Sequence, residues 1–163
     1  MDKLTQVLKI LEEDARKTPQ QISTMTGMPL AQVKKAVKQA ERDRIIFKYK
    51  AVVNWERVKD DLVTALVEVK LMPQRDVGFD AIAERIYRFP EARTVYLLSG
   101  TYDLLVLVTV RTMHEVAAFT SSKLATIDGV QGTVTHFLLK RYKEDGEILL
   151  GEARRKKREP FMI

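Results

Sequence analysis

The stretch LLSGTYDLLVLV, Leu97 to Val108, decides how the second half of this chain folds. Two apolar runs meet at Gly100, and such runs bounded by turn residues indicate two strands joined by a tight reversal that the glycine is expected to make. The second run opens with Asp103, directly after Tyr102. A buried strand seldom begins with a carboxylate. This aspartate therefore either caps the turn by accepting backbone N–H groups or holds a ligand.

The sequence on both sides of this stretch completes a six-element pattern. An alternating apolar run from Leu62 to Leu71 predicts a strand, and helical spacing from Val77 to Phe89 predicts a helix that Pro90 ends. A second helix begins at a Thr112 cap, and the run from Gly129 to Lys143 predicts a last strand with a basic end. The order β-α-β-β-α-β predicts an α+β fold, a ferredoxin-like antiparallel sheet with both helices on one face. The helix predicted from Val77 to Phe89 is expected to place one stripe of residues on its buried face: Phe79, Ile82, Ala83, Ile86 and Phe89.

The first sixty residues predict a separate helical domain. Apolar residues recur at helical spacing from Leu4 to Leu11, which predicts a first helix. Thr18, Pro19 and Gln21 together predict a capped start for a short second helix. Glycine and proline then interrupt the chain before a third helix from about Leu30 to Asp43. A short helix, a tight turn with glycine and a longer helix make the helix-turn-helix arrangement.

The exposed side of the third helix is rich in groups that can bind DNA. Its predicted buried stripe leaves six polar residues facing outward: Gln32, Lys34, Lys35, Lys38, Gln39 and Arg42. Lysine and arginine can bond guanine or neutralise phosphates, and glutamine can pair with adenine in the major groove. The segment that follows, up to Val53, predicts one or two short strands of a wing, whose outward Lys48 and Lys50 can touch phosphates. A merely solvated lysine-rich face is the alternative, and the turn and the local charge favour DNA.

Charge is unevenly distributed along the 163 residues. Residues 1–60 carry 13 basic and 8 acidic side chains, whereas residues 61–150 carry 10 and 12. A basic first part beside a mildly acidic middle indicates that the first part meets a polyanion. The absence of cysteine excludes disulfides and thiolate metal sites and fits a cytoplasmic protein. No apolar run approaches the roughly 20 residues that cross a bilayer and no signal peptide is visible, so no membrane partner is expected.

Three segments resemble the leucine-responsive regulatory protein/AsnC (Lrp/AsnC) family of transcriptional regulators. The run from Gly27 to Tyr49 is similar to that family's turn, recognition helix and wing, LLSGTYDLLVLV to its S-G-x-[FY]-D segment, and DGVQGTVTHF to the start of its last strand. The resemblance covers about residues 1–150. The chain is accordingly divided into four segments: a winged helix-turn-helix DNA-binding domain (1–53), a linker (54–61), a ferredoxin-like effector-binding and oligomerisation domain (62–150) and a basic tail (151–163).

By this resemblance, the loop around Gly100 lines an amino-acid site between the subunits of a homodimer or of a higher oligomer such as an octamer. The pocket candidates are Ser99, Gly100, Tyr102, Asp103, Thr133 and Thr135. A carboxylate can hold a ligand ammonium, while hydroxyl and loop N–H groups can hold its carboxylate. Thr101 stands where relatives often carry an acidic residue, so the effector can differ from theirs. The helix-free face of the sheet, with its apolar side chains, is expected to form the dimer.

Two positions depart from the family pattern. Pro29 stands where relatives often have serine, and Arg44 stands where they often have the glycine that ends the recognition helix. Arg44 therefore either ends the helix without the usual left-handed cap or adopts a strained backbone, and its charge can equally contact DNA.

An enzyme is the main alternative class. Siroheme decarboxylases resemble the same two-domain layout and use histidine and arginine against tetrapyrrole carboxylates. His136 with Arg93 or Arg141 is all that this chain offers for such chemistry, and no metalloprotease, phosphate-loop or nucleophile-elbow motif occurs. The sequence therefore predicts no catalytic residue, no metal site and no cofactor, and double-stranded DNA is the expected partner.

Overall fold

The computed structural model describes residues 2–58, 62–72 and 78–149. The chain divides into two compact units, Met1–Val53 and Asn54–Ile163. The basic tail predicted at 151–163 and the last residues of the predicted linker, 59–61, lie outside the described residues.

Three helices form the first unit. They are α1 (Lys3–Glu13), α2 (Pro19–Thr26) and α3 (Leu30–Arg42). Five buried side chains make its core: Val7, Leu11, Ile22, Met28 and Val33. Each helix contributes at least one of them, because apolar residues at helical spacing line up on one face. The three predicted helices are confirmed.

Side-chain hydrogen bonds fix the turn between α2 and α3. The Thr18 hydroxyl accepts the Gln21 N–H and the Gln21 side chain accepts the Thr18 N–H, so the predicted capping box starts α2. Gly27 then takes a left-handed conformation with φ of +70° and ends the helix. The Ser23 hydroxyl donates to the Met28 carbonyl at 2.6 Å and holds the turn against α2. These bonds set the direction in which α3 leaves the turn.

The predicted wing strands do not form. Residues 46–54 have no regular secondary structure and take part in no sheet ladder. A strand requires a hydrogen-bonded neighbour, and Tyr49, Val52 and Val53, three of the four apolar side chains that suggested alternation, are exposed rather than packed. The segment returns to α3 through a side-chain bond instead, in which the Tyr49 hydroxyl donates to the Glu41 carboxylate at 2.9 Å.

Arg44 takes the strained alternative at the end of α3. Its φ is +56°, in the left-handed region that favours glycine. The N–H groups of Ile45 and Ile46 both bond the Ala40 carbonyl, which closes the helix end in the way that requires a left-handed residue. That conformation costs a non-glycine residue about 1–2 kcal/mol. The Arg44 guanidinium lies 5.3 Å from the centre of the Phe47 ring.

The second unit contains a four-stranded antiparallel sheet. Its elements are α4 (Trp55–Val58), β1 (Val63–Leu71), α5 (Phe79–Tyr87), β2 (Ala92–Leu97), β3 (Leu104–Val110), α6 (Met113–Phe119) with a π-helical turn (Thr120–Leu124), β4 (Val130–Phe137), and a short hairpin of β5 (Lys143–Glu144) and β6 (Glu147–Ile148). The strand order is β2-β3-β1-β4 and each neighbouring pair is antiparallel. This order confirms the predicted ferredoxin-like sheet, since β1 and β3 pair at its centre although a helix and β2 separate them in sequence.

The two faces of the sheet differ in what covers them. Alternate residues from Ala65 to Leu71 in β1 and from Leu104 to Val110 in β3 are buried in one core with Ile86 of α5 and Phe119 of α6. The intervening residues of both strands point away from the helices, and all but one of them are only half-buried. The sheet therefore has one helix-covered face and one open face.

Three details of the second unit differ from the sequence prediction. Helix α5 begins at Phe79, which is exposed rather than buried because it lies in the first turn of the helix; the predicted start at Val77 lies outside the described residues. The predicted linker contains the short helix α4. The strand predicted to run to Lys143 ends at Phe137 as β4, and the β5–β6 hairpin, with positive φ at Asp145 and Gly146, follows it.

Candidate DNA-binding and ligand-binding sites

Helix α3 presents a basic face to solvent. Lys35, Lys38 and Arg42 are spaced by three and four residues, so their side chains lie on one side of the helix. All three are exposed, whereas Val33 and Ala40 on the opposite side are fully buried. None of the three cations forms an ion pair with the residues that the structure describes. Their positive charge is therefore available to a partner.

Gln32, Lys34 and Gln39 flank this basic face. Gln32 and Lys34 are exposed, and Gln39 is half-buried. The Gln39 amide donates to the Asp43 carboxylate at 2.7 Å and accepts a hydrogen bond from the Arg42 guanidinium. In the unbound protein, Gln39 therefore orients Arg42.

Arg44 and Lys48 continue the positive surface beyond α3. Both side chains are exposed. All eight predicted DNA-binding residues thus lie in the first unit, on α3 or on the segment that follows it, and seven of them are exposed.

The Asp103 carboxylate is bound to the end of the central strand. Its Oδ2 accepts the Leu71 N–H at 2.8 Å and lies 3.2 Å from Lys70 Nζ. The Asp103 N–H donates to the Val69 carbonyl at 3.0 Å, and the Asp103 carbonyl accepts the Leu98 N–H at 2.8 Å. The carboxylate does bond a backbone N–H, but this group belongs to β1, 32 residues earlier, and not to its own turn. Nothing in the local sequence pattern pointed to Lys70 and Leu71.

These contacts keep Asp103 ionised. Its pKa is lowered mainly by the hydrogen bond from the Leu71 N–H and further by the nearby Lys70 ammonium, while partial burial opposes the shift. Both contacts use Oδ2, so Oδ1 takes no hydrogen bond from the residues described. An ionised carboxylate with one free oxygen can accept a hydrogen bond from a ligand cation.

The rest of the loop between β2 and β3 is open to solvent. Ser99 and Gly100 are exposed and Tyr102 is half-buried. The expectation that Gly100 makes the reversal is not supported, because its φ is outside the left-handed region and an added Cβ would meet no atom within 4 Å. The hydrogen bond between Leu98 and Asp103 closes the reversal instead. The missing side chain at Gly100 therefore leaves loop backbone accessible.

Thr133 and Thr135 lie across β1 from this loop. Thr133 pairs with Val69 and Thr135 with Val67 in the ladder between β1 and β4, and both threonines are half-buried. Because β1 stands between β3 and β4 and neighbouring strands are about 4.8 Å apart, the threonines are roughly 10 Å from the strand that carries Asp103. Within one chain, the pocket candidates therefore lie on both sides of the carboxyl half of β1. The loop residues around Asp103 are on one side, and Thr133 and Thr135 are on the other.

The open face of the sheet carries apolar side chains. Leu66 of β1 and Leu105 and Leu107 of β3 are half-buried there, and Tyr96 of β2 and Val134 of β4 are exposed. Cross-strand pairing places all five side chains on the face away from the helices. This is the helix-free apolar face that the sequence predicted.

Arg93 and His136 do not come together, and Arg141 is bonded to Thr64. His136 Nε2 lies 3.5 Å from the Glu68 carboxylate on the open face, and the Arg141 guanidinium donates to the Thr64 hydroxyl at 3.0 Å. Arg93 lies at a register shift in β2, and β2 and β4 are opposite edges of the sheet. Arg93 and His136 are therefore at least three strand spacings apart, about 14 Å.

The described ranges 2–58, 62–72 and 78–149 contain no group of three or more His, Cys, Asp or Glu side chains that could hold a metal ion. They also contain no helix with the length and apolar character needed to cross a membrane.

A helix-turn-helix unit with a basic face, followed by a ferredoxin-like sheet unit, defines a two-domain DNA-binding transcriptional regulator. Residues 2–46 match the model of a winged helix-turn-helix DNA-binding domain, and residues 64–148 match that of the Lrp/AsnC ligand binding domain. The chain belongs to the Lrp/AsnC family.

Relatives of known sequence agree with this assignment. Over 148 residues, 90% of this chain and 89% of the relative, the chain is 45% identical to the uncharacterized HTH-type transcriptional regulator YugG of Bacillus subtilis. Over 137 residues, 84% of this chain and 94% of the relative, it is 29% identical to the HTH-type transcriptional regulator LrpA of Pyrococcus abyssi. Both relatives are named as transcriptional regulators, so the family assignment supports a DNA-binding regulator and not the decarboxylase alternative.

Solved structures show the same architecture. A transcriptional regulator of Neisseria meningitidis in complex with L-methionine has a TM-score of 0.69 and 25% identity, with 88% of this chain and 93% of that chain covered. The feast or famine regulatory protein of M. tuberculosis, complexed with L-methionine, has a TM-score of 0.72 and 21% identity, with 91% and 99% covered. The second likeness concerns the fold alone.

Proposed function

We propose that this regulator binds duplex DNA through the exposed face of α3 and that its DNA binding responds to an amino acid held between two sheet units. The observation that carries the DNA-binding assignment is the row of Lys35, Lys38 and Arg42. These cations are exposed, share one side of the helix and form no ion pair within the described residues. An unpaired basic helix face after a tight turn suits the major groove, where arginine and lysine can bond guanine.

The remaining polar residues of this region support the same interface in other roles. Gln39 holds Arg42 in position, and Gln32 can pair with a base from the start of the helix. Arg44 and Lys48 lie beyond the helix and are assigned to backbone phosphates. Phosphate contacts fix the register of the helix, whereas base contacts supply the sequence preference.

Alanine variants of α3 test this interface. Lys38→Ala should weaken binding to a genomic site recovered by footprinting by about 1–3 kcal/mol if the side chain reads a base. A phosphate contact would instead weaken binding to the recovered site and to a scrambled duplex alike. Lys9→Ala removes one exposed positive charge from α1 and is the matched control. If Lys35→Ala and Lys38→Ala both bind as tightly as Lys9→Ala in fluorescence anisotropy, α3 is not the recognition helix.

The proposed effector site is the loop around Asp103 together with the threonines of β4. Asp103 Oδ1 is the acceptor proposed for the ammonium group, and the loop N–H groups with the Thr133 and Thr135 hydroxyls are proposed for the carboxylate. The two groups of residues are separated by β1 within one chain, so we infer that a second subunit completes the site. The L-methionine complex of the Neisseria meningitidis regulator supports an amino acid as the class of ligand.

The proposed assembly is a homodimer, or a higher oligomer such as an octamer, formed through the open sheet face. A monomer would expose the leucines of this face together with Tyr96 and Val134, and such contiguous apolar surfaces mark interaction sites. A two-fold dimer would also present two α3 helices to DNA half-sites about one helical turn apart. Sedimentation as a monomer at micromolar concentration would contradict this assembly.

The cytoplasm is the proposed location, because the partner is DNA and the sequence contains no cysteine.

A further inference from the structure

The chain directly after α3 presents an exposed aromatic ring. Phe47 is 76% exposed, and the Arg44 guanidinium lies against its ring at 5.3 Å from the ring centre. A ring stabilises a fold by being buried, so the first unit gains little from this one. Arg44 holds its position with a φ of +56°, which is strained for a residue other than glycine. Strained residues cluster at binding sites, so this pair is a candidate contact for a partner.

Hydrogen bonds on both sides of the ring hold it beside the last turn of α3. Before it, the Ile46 N–H donates to the Ala40 carbonyl at 3.0 Å. After it, the Tyr49 hydroxyl donates to the Glu41 carboxylate at 2.9 Å. Glu41 is three residues from Lys38, so this second bond reaches α3 on the flank of its basic face. The short loop that carries the ring is therefore positioned next to that face before any partner binds.

The charge around the ring favours a polyanion over a second copy of this chain. Residues 44–55 carry three basic side chains and no acidic one. The carboxylates just before them, Glu41 and Asp43, already accept hydrogen bonds from Tyr49 and Gln39. A contact between two such loops would bring like charges together, which is unfavourable, whereas DNA supplies the opposite charge.

We propose that Phe47 is an apolar wedge that enters the minor groove next to the major groove held by α3, with Arg44 beside it. This inference rests on the proposed binding of DNA by α3 and adds a second source of sequence preference. Apolar side chains inserted at a base step from the minor groove unstack the bases and kink the duplex. Arginine is attracted by the negative potential of a narrow minor groove.

The dimensions of the helix and of the groove support this position. An α-helix with its side chains is about 10–12 Å wide, and the major groove of B-DNA is about 12 Å wide. A helix seated in the groove therefore fills it. A loop beside the last turn of that helix then lies over the sugar–phosphate edge and the minor groove beyond it.

Variants of the full chain at Phe47 test the wedge. Phe47→Ala removes the ring, whereas Phe47→Leu keeps an apolar side chain that can still enter a base step. Tyr87→Ala removes an exposed ring from α5 and is the matched control. Anisotropy on a genomic site recovered by footprinting measures affinity and its salt dependence, and circular-permutation electrophoresis measures the bend. Duplexes in which G·C runs replace the TA or CA steps beside the site measure the preference for flexible flanks.

The original protein should bend the site and should bind it more tightly when TA or CA steps flank it, because these steps unstack easily. Phe47→Ala should lose the bend and this preference and should bind about tenfold more weakly, the effect of one apolar side chain left unburied. Its salt dependence should stay unchanged because no charge is lost. Arg44→Gln should instead make the slope of log K against log salt shallower by about 0.9. Phe47→Leu and Tyr87→Ala should both keep the bend.

Three results would overturn the proposal. If the original protein leaves the site unbent, or if Phe47→Ala keeps the original affinity and bend, the ring does not enter DNA; weaker binding by Lys38→Ala would then leave the function proposed for α3 standing. If Phe47→Ala sediments as a smaller assembly than the original protein, the ring contacts a second copy instead. Failure of the original protein to bind any duplex would overturn both proposals together.

Discussion

Replacing Asp103 with alanine tests whether this carboxylate stabilises the fold, binds a ligand or does both. In the unliganded fold it accepts the Leu71 N–H at 2.8 Å and pairs with Lys70 at 3.2 Å. A hydrogen bond to a charged group contributes about 1.5–3 kcal/mol, and a pair with a partly exposed lysine adds about 0–1 kcal/mol. Because the strand end at Leu71 is buried, the Asp103→Ala variant should lose about 2 kcal/mol of unfolding free energy. For a unit of this size, that corresponds to a fall in Tm of roughly 8 °C.

Two further variants separate the hydrogen bond from the ion pair. Asp103→Asn keeps an acceptor for the Leu71 N–H but loses the charge, so its cost should be about half that of Asp103→Ala. Lys70→Met removes only the pair and should cost about 1 kcal/mol or less. Urea unfolding followed by circular dichroism measures all three. If Asp103→Ala costs no more than Lys70→Met, the Leu71 hydrogen bond does not support the fold as reasoned here.

The same interaction has a pH signature. The pKa of Asp103 is lower in the folded chain than in the unfolded one, because the Leu71 N–H and the Lys70 ammonium favour the ionised form. The stabilisation is therefore complete above the unfolded pKa of about 3.9 and is lost as the pH falls through the folded pKa. The difference in unfolding free energy between the original protein and Asp103→Ala should be constant from pH 7 to 5 and shrink below it. An undiminished difference in strong acid would contradict this sign.

The original protein and the Asp103→Asn variant also test whether Asp103 binds a ligand. An amino acid that binds the assembled protein raises its Tm by an amount that grows with concentration. A rise in the original protein that is missing in Asp103→Asn would assign the carboxylate to the ligand, and equal rises in both would remove Asp103 from the pocket.

Three other substitutions follow from the geometry. Arg44→Gly should raise the unfolding free energy by about 1 kcal/mol, because it relieves a left-handed residue, and should weaken DNA binding; a destabilised variant would show that the φ of +56° carries no cost. Gly100→Ala should change the unfolding free energy by less than about 0.5 kcal/mol, because an added Cβ would meet no atom within 4 Å. If this stable variant loses a response to an amino acid, the ligand lies against the backbone at Gly100. Strong destabilisation would contradict the open space around this position. Leu107→Lys on the open face should convert the assembly to monomers in analytical ultracentrifugation, whereas Leu139→Lys, at a side chain already 91% exposed, should not; equal sedimentation of the two would exclude this face.

Most of the fold could be predicted because its signals are local. The capping box at Thr18 involves residues three apart, and the alternation in β1 and β3 is visible in the sequence alone. The sequence wrongly predicted wing strands at 46–54, because alternation of apolar residues does not supply the hydrogen-bonded neighbour that a strand needs. The β5–β6 hairpin was missed although Asp145–Gly146 is a pair that favours tight hairpin turns, since the charged residues around it show no apolar alternation.

The candidate ligand site was harder to predict because strand register decides it. Asp103 stood out by its position before a strand, but its partners Lys70 and Leu71 become neighbours only through the pairing of β1 with β3. Pairing of β1 with β4 likewise places Thr133 and Thr135 on the far side of the central strand. In contrast, the basic face of α3 depends only on helical spacing, and the structure has the same exposed side as the sequence indicated.

Strand β1 is hydrogen-bonded at both ends as well as along both edges. At its carboxyl end Leu71 is bonded to Asp103, and at its amino end Thr64 is bonded through its carbonyl to the Leu138 N–H and through its hydroxyl to Arg141. Between these ends both edges of the strand are paired, with β3 on one side and with β4 on the other, and the pairing with β4 has one register shift between Lys70 and Leu71. Nine residues in this state form a strut of about 30 Å. The loop that carries Asp103 and the segment that carries Arg141 are thus joined to opposite ends of the same strand.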